Sequence, residues 1–203
     1  MNKERKDHWN SVYDTKNEDQ VSWTQAIPTR SLASIASFNL PKTAKIIDIG
    51  GGNGTLAEHL LAAGYENITV LDISSSAIEK TKKRLGDKAD KITWIAKDIV
   101  DFQPEESYDI WHDRATFHFL TEDHQKEAYY KLIDQFATGH LSIGTFSVDG
   151  PIKCSGLAIQ QYDEASITEF FGSNFSKVQC IHEDHITPFD TVQKFIFCDF
   201  KRN

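Results

Sequence analysis

Three observations predict an α/β fold with a mostly parallel seven-stranded sheet, flanking helices and an antiparallel hairpin at one edge. From residue 45 onward, short apolar runs rich in Ile, Val and Leu alternate with segments of helical periodicity. A glycine cluster at residues 50–54 separates the first apolar run from the first helical segment. After about residue 176 the helical periodicity stops, and two strand-like runs face each other across a turn near Pro188.

In chain order, helical patches are predicted at 7–13 and 30–38, in a polar and aromatic stretch ahead of the first strand. Strand 45–49 leads to helix 55–63, and strand 68–72 to helix 76–85. Strand 92–96 is followed by an acidic loop, strand 108–111, helix 122–136 and strand 141–146. Residues 150–156 read as loop, 163–171 as helix, and 177–185 and 191–201 as the two strands of the hairpin. The expected division is an N-terminal helical cap over 1–40 and one α/β domain over 41–203.

Composition narrows the function classes. Thirty acidic against 22 basic residues give a net charge of −8, which offers nucleic acid phosphates no general attraction. Lys80, Lys82, Lys83 and Arg84 form the densest basic cluster and read as the solvated face of a helix. No apolar run reaches the roughly 20 residues of a membrane span, and the charged N-terminus lacks a signal-peptide pattern, so a cytoplasmic protein is expected. Cys154, Cys180 and Cys198 are far apart in sequence and suggest neither a disulfide framework nor a zinc site. His182 and His185, three apart on a predicted strand, face opposite sides, and no metal site is expected.

The sharpest local pattern is KIIDIGGGNGTL, residues 45–56. A buried strand ending in Asp48 runs into glycines 50, 51, 52 and 54, so the backbone can approach a ligand closely at the strand's carboxyl end. A dinucleotide fingerprint needs a small third residue where this chain has Thr55, and the phosphate-loop pattern GxxxxGK[ST] is absent. The next strand ends in Asp72, 18 positions after Gly54, where a carboxylate can accept both hydroxyls of a ribose. Its alternative role is a helix cap, although Ser74–Ser76 can supply that cap themselves.

The spacing Asp48-x-Gly50-x-Gly52-x-Gly54, followed by Asp72, resembles the first motifs of class I S-adenosylmethionine-dependent methyltransferases. The resemblance covers residues 40–150 or so and implies a Rossmann-like domain with S-adenosylmethionine as cofactor. It assigns cofactor contacts to Asp48, Gly50, Gly51, Gly52, Gly54, Asp72 and Ile73, and adenine contacts to Asp98 and Ile99 at the end of WIAKDIVDF. The segment HWNSVYDTKNEDQVSW resembles the N-terminal cap of small thiopurine S-methyltransferase-like enzymes, placing Trp9, Tyr13 and Trp23 over the cofactor. Their rings could face a sulfonium or could simply fasten the segment to the domain.

Methyl transfer from a sulfonium is an in-line displacement, so the protein mainly aligns the reactants and excludes water. A general base is needed only when the acceptor arrives protonated. The segment YDIWHDRATFHF, residues 108–119, is expected beside the methyl group, with Asp113 and His118 as catalytic candidates and His112 and Arg114 as substrate contacts. An Asp113–Arg114 ion pair that fixes the loop is the alternative. The DR-x-TF portion is also similar to the DKGTxD segment of a group of lysine methyltransferases, with Arg114, Ala115 and His118 departing from that pattern. Ser155 and Tyr162, after the fifth strand, are further substrate candidates. The acceptor expected is a small molecule; a protein lysine, or cofactor binding without catalysis, stand as alternatives.

Overall fold

A computed structural model describes residues 3–203. Helices α1 (Lys3–Thr15) and α2 (Thr29–Ser37) precede strand β1 (Lys45–Ile49). The chain then runs α3 (Leu56–Ala62), β2 (Asn67–Asp72), α4 (Ser75–Leu85), β3 (Ile92–Ala96), β4 (Tyr108–Arg114), α5 (Asp123–Phe136) and β5 (Ala137–Phe146). After β5 come a two-residue hairpin, β6 (Lys153–Cys154) and β7 (Leu157–Ala158), then α6 (Glu164–Phe171), β8 (Phe175–Ile186) and β9 (Val192–Arg202).

The main sheet has seven strands in the order β3-β2-β1-β4-β5-β9-β8. Its first five strands are parallel, while β9 is antiparallel to β5 and to β8. The order reverses direction between β1 and β4, and ligands of open α/β sheets bind beyond the carboxyl ends of strands at such a point. The expected fold class is therefore the one observed.

Alternation along the strands divides the core in two. Ile46 and Ile110 point to the face covered by α2 and α3, where they meet Ile35, Leu56 and Leu60. Ile47, Ile49 and Trp111 point to the other face, against Tyr129 and Ile133 of α5 and Ile167 and Phe171 of α6. Within residues 1–40, α2 lies in this helical layer, whereas α1 packs Trp9, Val12 and Tyr13 beside Ala77 of α4. Asn10 ties α1 to α4: its Oδ1 accepts from Ser74 Oγ at 2.8 Å and from the Ser76 N–H at 3.4 Å.

Two differences from the sequence reading have clear causes. Strand β4 runs on to Arg114 rather than stopping at Trp111, because His112 and Asp113 find polar partners inside the protein and do not need solvent. Cys180 and Cys198, 18 residues apart, face each other in the β8–β9 register and form a disulfide that their sequence separation did not suggest. Cys154 is buried and unpaired with another cysteine.

Phe171 is fully buried, with ring centroids 5.5 Å from Phe117 and 5.4 Å from Phe200, so it joins α6 to both the post-β4 turn and the hairpin. Phe171→Ala is expected to lower unfolding free energy by about 3–5 kcal/mol, read from urea denaturation at unchanged slope.

Candidate active site

A cavity opens at the carboxyl ends of β1, β2, β3 and β4, beneath α1. Its walls take Gly50, Gly51 and Gly54 from the turn after β1, Asp72 and Ile73 from the end of β2 and just beyond it, and Asp98 and Ile99 from the segment after β3. Trp9, Tyr13 and Trp23 close one side. Arg114 and Thr116 after β4, with Phe146, Cys154 and Phe195, line the far end.

The glycine turn is shaped by close approaches. Gly50 sits at φ +71°, and a Cβ there would come within 1.8 Å of Thr116 Oγ1. Gly52 does not reach the wall; its N–H donates to Asp72 Oδ2 at 2.9 Å, and a Cβ would strike Asp72 and Ala77. Thr55, where a dinucleotide fingerprint would want glycine, donates its hydroxyl to the carbonyl of Gln25 at 3.0 Å. Arg84, expected on a solvated face, braces the turn by donating to the Gly54 carbonyl at 2.7 Å and to Glu18 Oε1 at 2.6 Å.

Each buried carboxylate on the wall has donors of its own. Asp72 also accepts the Ser74 N–H at 2.7 Å, so it is not wholly released by the serine cap, although Ser74 Oγ does cap α4 by accepting from Ala77 N. Burial raises the Asp72 pKa to about 6 against the lowering effect of these two N–H groups, with the Asp48 charge adding to the rise. Each of its oxygens keeps a second lone pair that can face the cavity. Asp98 caps the short turn Ile99–Asp101 through Val100 N at 3.3 Å, and Arg5 Nη1 lies 3.7 Å from its Oδ2.

The residues after Asp109 divide by parity. His112 and Arg114 point to the cavity side, and Asp113 to the α5 side. His112 spans Asp48 Oδ1 at 2.7 Å and Ser31 Oγ at 2.8 Å. Asp113 accepts the N–H groups of Thr116 and Phe117, each at 3.0 Å, and the Tyr129 hydroxyl at 2.6 Å. Burial raises its pKa to about 6 despite those donors. It is not on the cavity wall and forms no ion pair with Arg114; it fixes the turn from behind.

His118 also lies away from the cavity wall. It is fully buried, stacked on Phe146 at 4.6 Å, and its Nδ1 accepts the Phe146 N–H at 3.4 Å. Burial, helped by the Arg114 charge, lowers its pKa to about 3, and it does not line the cavity. Tyr162 is buried in the core against Phe117 at 4.9 Å, and Ser155 sits at φ +50° outside the wall. The cavity thus gathers Asp48, Asp72, Asp98, His112 and Arg114 but leaves Asp113, His118, Ser155 and Tyr162 elsewhere.

Several wall residues carried no sequence signal. Ser31, Phe146, Cys154 and Phe195 come from four separate segments and meet only through sheet topology. Among the described residues no cluster of His, Cys, Asp or Glu could hold a metal ion, and no helix is long and apolar enough to cross a membrane.

Residues 46–138 match the family model described as a methyltransferase domain. Over that span, with the strand order and the glycine turn, the chain is similar to class I S-adenosylmethionine-dependent methyltransferases. More particularly, it is 39% identical over 127 residues to the malonyl-[acyl-carrier protein] O-methyltransferase of Anoxybacillus flavithermus, over 59% of this chain and 47% of that protein. It is 23% identical over 154 residues to the eEF1A lysine and N-terminal methyltransferase of Mus musculus, covering 75% of this chain and 21% of that protein. The chain spans about half the length of the malonyl-carrier relatives it matches. The crystal structure of Burkholderia thailandensis 1,6-didemethyltoxoflavin-N1-methyltransferase shares the fold, with TM-score 0.72 and 16% identity over 98% of this chain and 87% of that one.

The buried imidazole predicts an acid-dependent loss of stability. A histidine whose folded pKa lies near 3 and unfolded value near 6.5 adds stability above pH 6.5, and that contribution drains as pH falls toward 3. Asp72 and Asp113, raised to about 6, act oppositely: their contribution is full below about 4 and lost as pH rises through 6. His118→Phe should therefore lose about 3 kcal/mol less than the unmodified protein between pH 7 and 4, measured by chemical denaturation at each pH.

Proposed function

We propose that this chain transfers the methyl group of S-adenosylmethionine to a small-molecule acceptor. The observation that carries this reading is the convergence of a side-chain-free glycine wall, Asp72 and Asp98 on one cavity whose far end is apolar. Asp72 would hold the ribose hydroxyls, Asp98 and Ile99 the adenine, and the Gly50–Gly54 turn and Asp48 the amino-acid portion. When bound there, the cofactor supplies an already activated methyl carbon. Trp9, Tyr13 and Trp23 would then exclude water and press the reactants together.

With Asp113 and His118 outside the cavity, the reading asks for an acceptor atom that is nucleophilic on arrival. His112, held between Asp48 and Ser31, positions the wall. Protein lysine methylation is the second reading, favoured by the similarity to a eukaryotic lysine methyltransferase across three quarters of the chain. We further propose a cytoplasmic location, on the composition alone.

S-adenosylhomocysteine at saturating concentration should raise the thermal midpoint, and Asp72→Ala should weaken its binding by about 1–3 kcal/mol in calorimetric titration. No change in midpoint would remove the cofactor assignment, and unaltered affinity would remove the role of Asp72. Cell extract incubated with methyl-labelled cofactor and split by size should carry label in the small-molecule fraction. Label confined to protein and stable to base would favour the lysine reading, base-labile protein label would mark a methyl ester on a carrier-borne acid, and label in neither fraction despite tight binding would indicate a binding module.

A further inference from the structure

The far end of the cavity contains a charge whose donors are only partly used. Arg114 closes β4, and its Nη1 donates to the Trp23 carbonyl at 3.0 Å. The guanidinium carbon lies 4.9 Å from the centroid of the Phe195 ring, which holds the group as a flat platform would. Its Nε and Nη2 are buried and have no hydrogen-bond partner.

Those two nitrogens share one edge of the guanidinium. Their N–H bonds run parallel, and the two oxygens of a carboxylate fit that edge as a bidentate pair. The surroundings make the unused edge costly, because Trp23, Ala115, Phe119, Phe146 and Phe195 offer apolar surface rather than water. The acidic groups that influence Arg114 most are already occupied: Glu183 pairs with Arg30 at 3.0 Å, and Asp48 with His112 at 2.7 Å. Burial lowers the guanidinium pKa only to about 10, so the charge persists at neutral pH.

We infer that Arg114 is the receptor for a carboxylate on the methyl acceptor, and that this site takes acids with an apolar body. The assignment rests on the methyltransferase reading and names the class of its acceptor. A phosphate would bring a second charge, and the other Lys and Arg side chains of the wall, Lys97 and Arg5, stand at the β3 end. A lysine side chain, cationic until it loses a proton, would meet a like charge.

The test uses the whole chain saturated with S-adenosylhomocysteine and titrated calorimetrically. One series compares benzoate and phenylacetate with benzamide and phenylacetamide; another compares an N-succinyl peptide with its N-acetyl counterpart. An acid is expected to bind at least tenfold more tightly than its neutral partner in one series, and that series identifies the acid as free or carrier-borne. Arg114→Met, measured at a concentration of S-adenosylhomocysteine that saturates the variant, should erase the preference, and Arg114→Lys, which keeps the charge without the fork, should recover only part of it. Equal binding of acid and neutral partner, binding of neither, or a preference that survives Arg114→Met would overturn the assignment. The comparison in the unmodified protein stands even if a variant fails to fold. Failure of S-adenosylhomocysteine itself to bind is a separate result, which removes the methyltransferase reading and this assignment with it.

Discussion

Carboxylates buried at the ends of neighbouring strands set the terms for everything around them. Asp48, Asp72 and Asp98 are each at most 5% exposed, and a carboxylate in that position is tolerated only with donors pointed at it. The chain meets the requirement locally. Asp72 draws in the N–H groups of Gly52 and Ser74, which fixes the glycine turn on one side and the start of α4 on the other. Asp48 recruits His112 from the adjacent strand, and His112 in turn engages Ser31 of α2. One charge requirement thereby links three parts of the chain that are distant in sequence.

The position of α1 follows from the same arrangement. Asn10 accepts from the Ser74 hydroxyl and the Ser76 N–H at the start of α4, so α1 is anchored where the β2 carboxylate has already ordered the backbone. Trp9 then lies among Tyr13, Trp23 and Phe119, with centroids 5.2–6.2 Å away. These rings contribute hydrophobic contact over a cavity whose floor is polar backbone and carboxylate. The two ends of the cavity differ accordingly: the β2–β3 end sets Asp72 and Asp98 beside Arg5 and Lys97, and the end near β5 and β9 sets Arg114 among Phe146, Cys154 and Phe195.

Most strands and helices were legible because apolar runs between helical periods leave few alternatives for a parallel sheet. The carboxylates at positions 48, 72 and 98 were legible because each closes an apolar run. Residues 112–114 were harder. Their polarity read as loop, yet they are strand, since each side chain has a partner supplied by another segment. Asp113 lies off the cavity wall for the same reason: its face of β4 is decided by alternation within a strand whose length the sequence understated. His118 resembled an accessible base, but only its stacking on Phe146 and its burial reveal a neutral core histidine. Phe195 and Cys154 reach the cavity through pairings far along the chain, and no local pattern encodes such a meeting.

The parity of β4 also limits how proteins with this arrangement can diverge. Consecutive residues there face opposite ways: His112 and Arg114 the cavity, Asp113 the rear of the turn. Inserting or deleting one residue before position 112 would exchange these assignments wholesale, turning a guanidinium into the hydrophobic layer and an aspartate into the cavity. Substitution can retune one position at a time, but a change of length in this strand cannot be gradual. The lining of the cavity is therefore altered more gradually through the β6–β7 hairpin, which supplies Cys154, than through the length of the strand that carries Arg114.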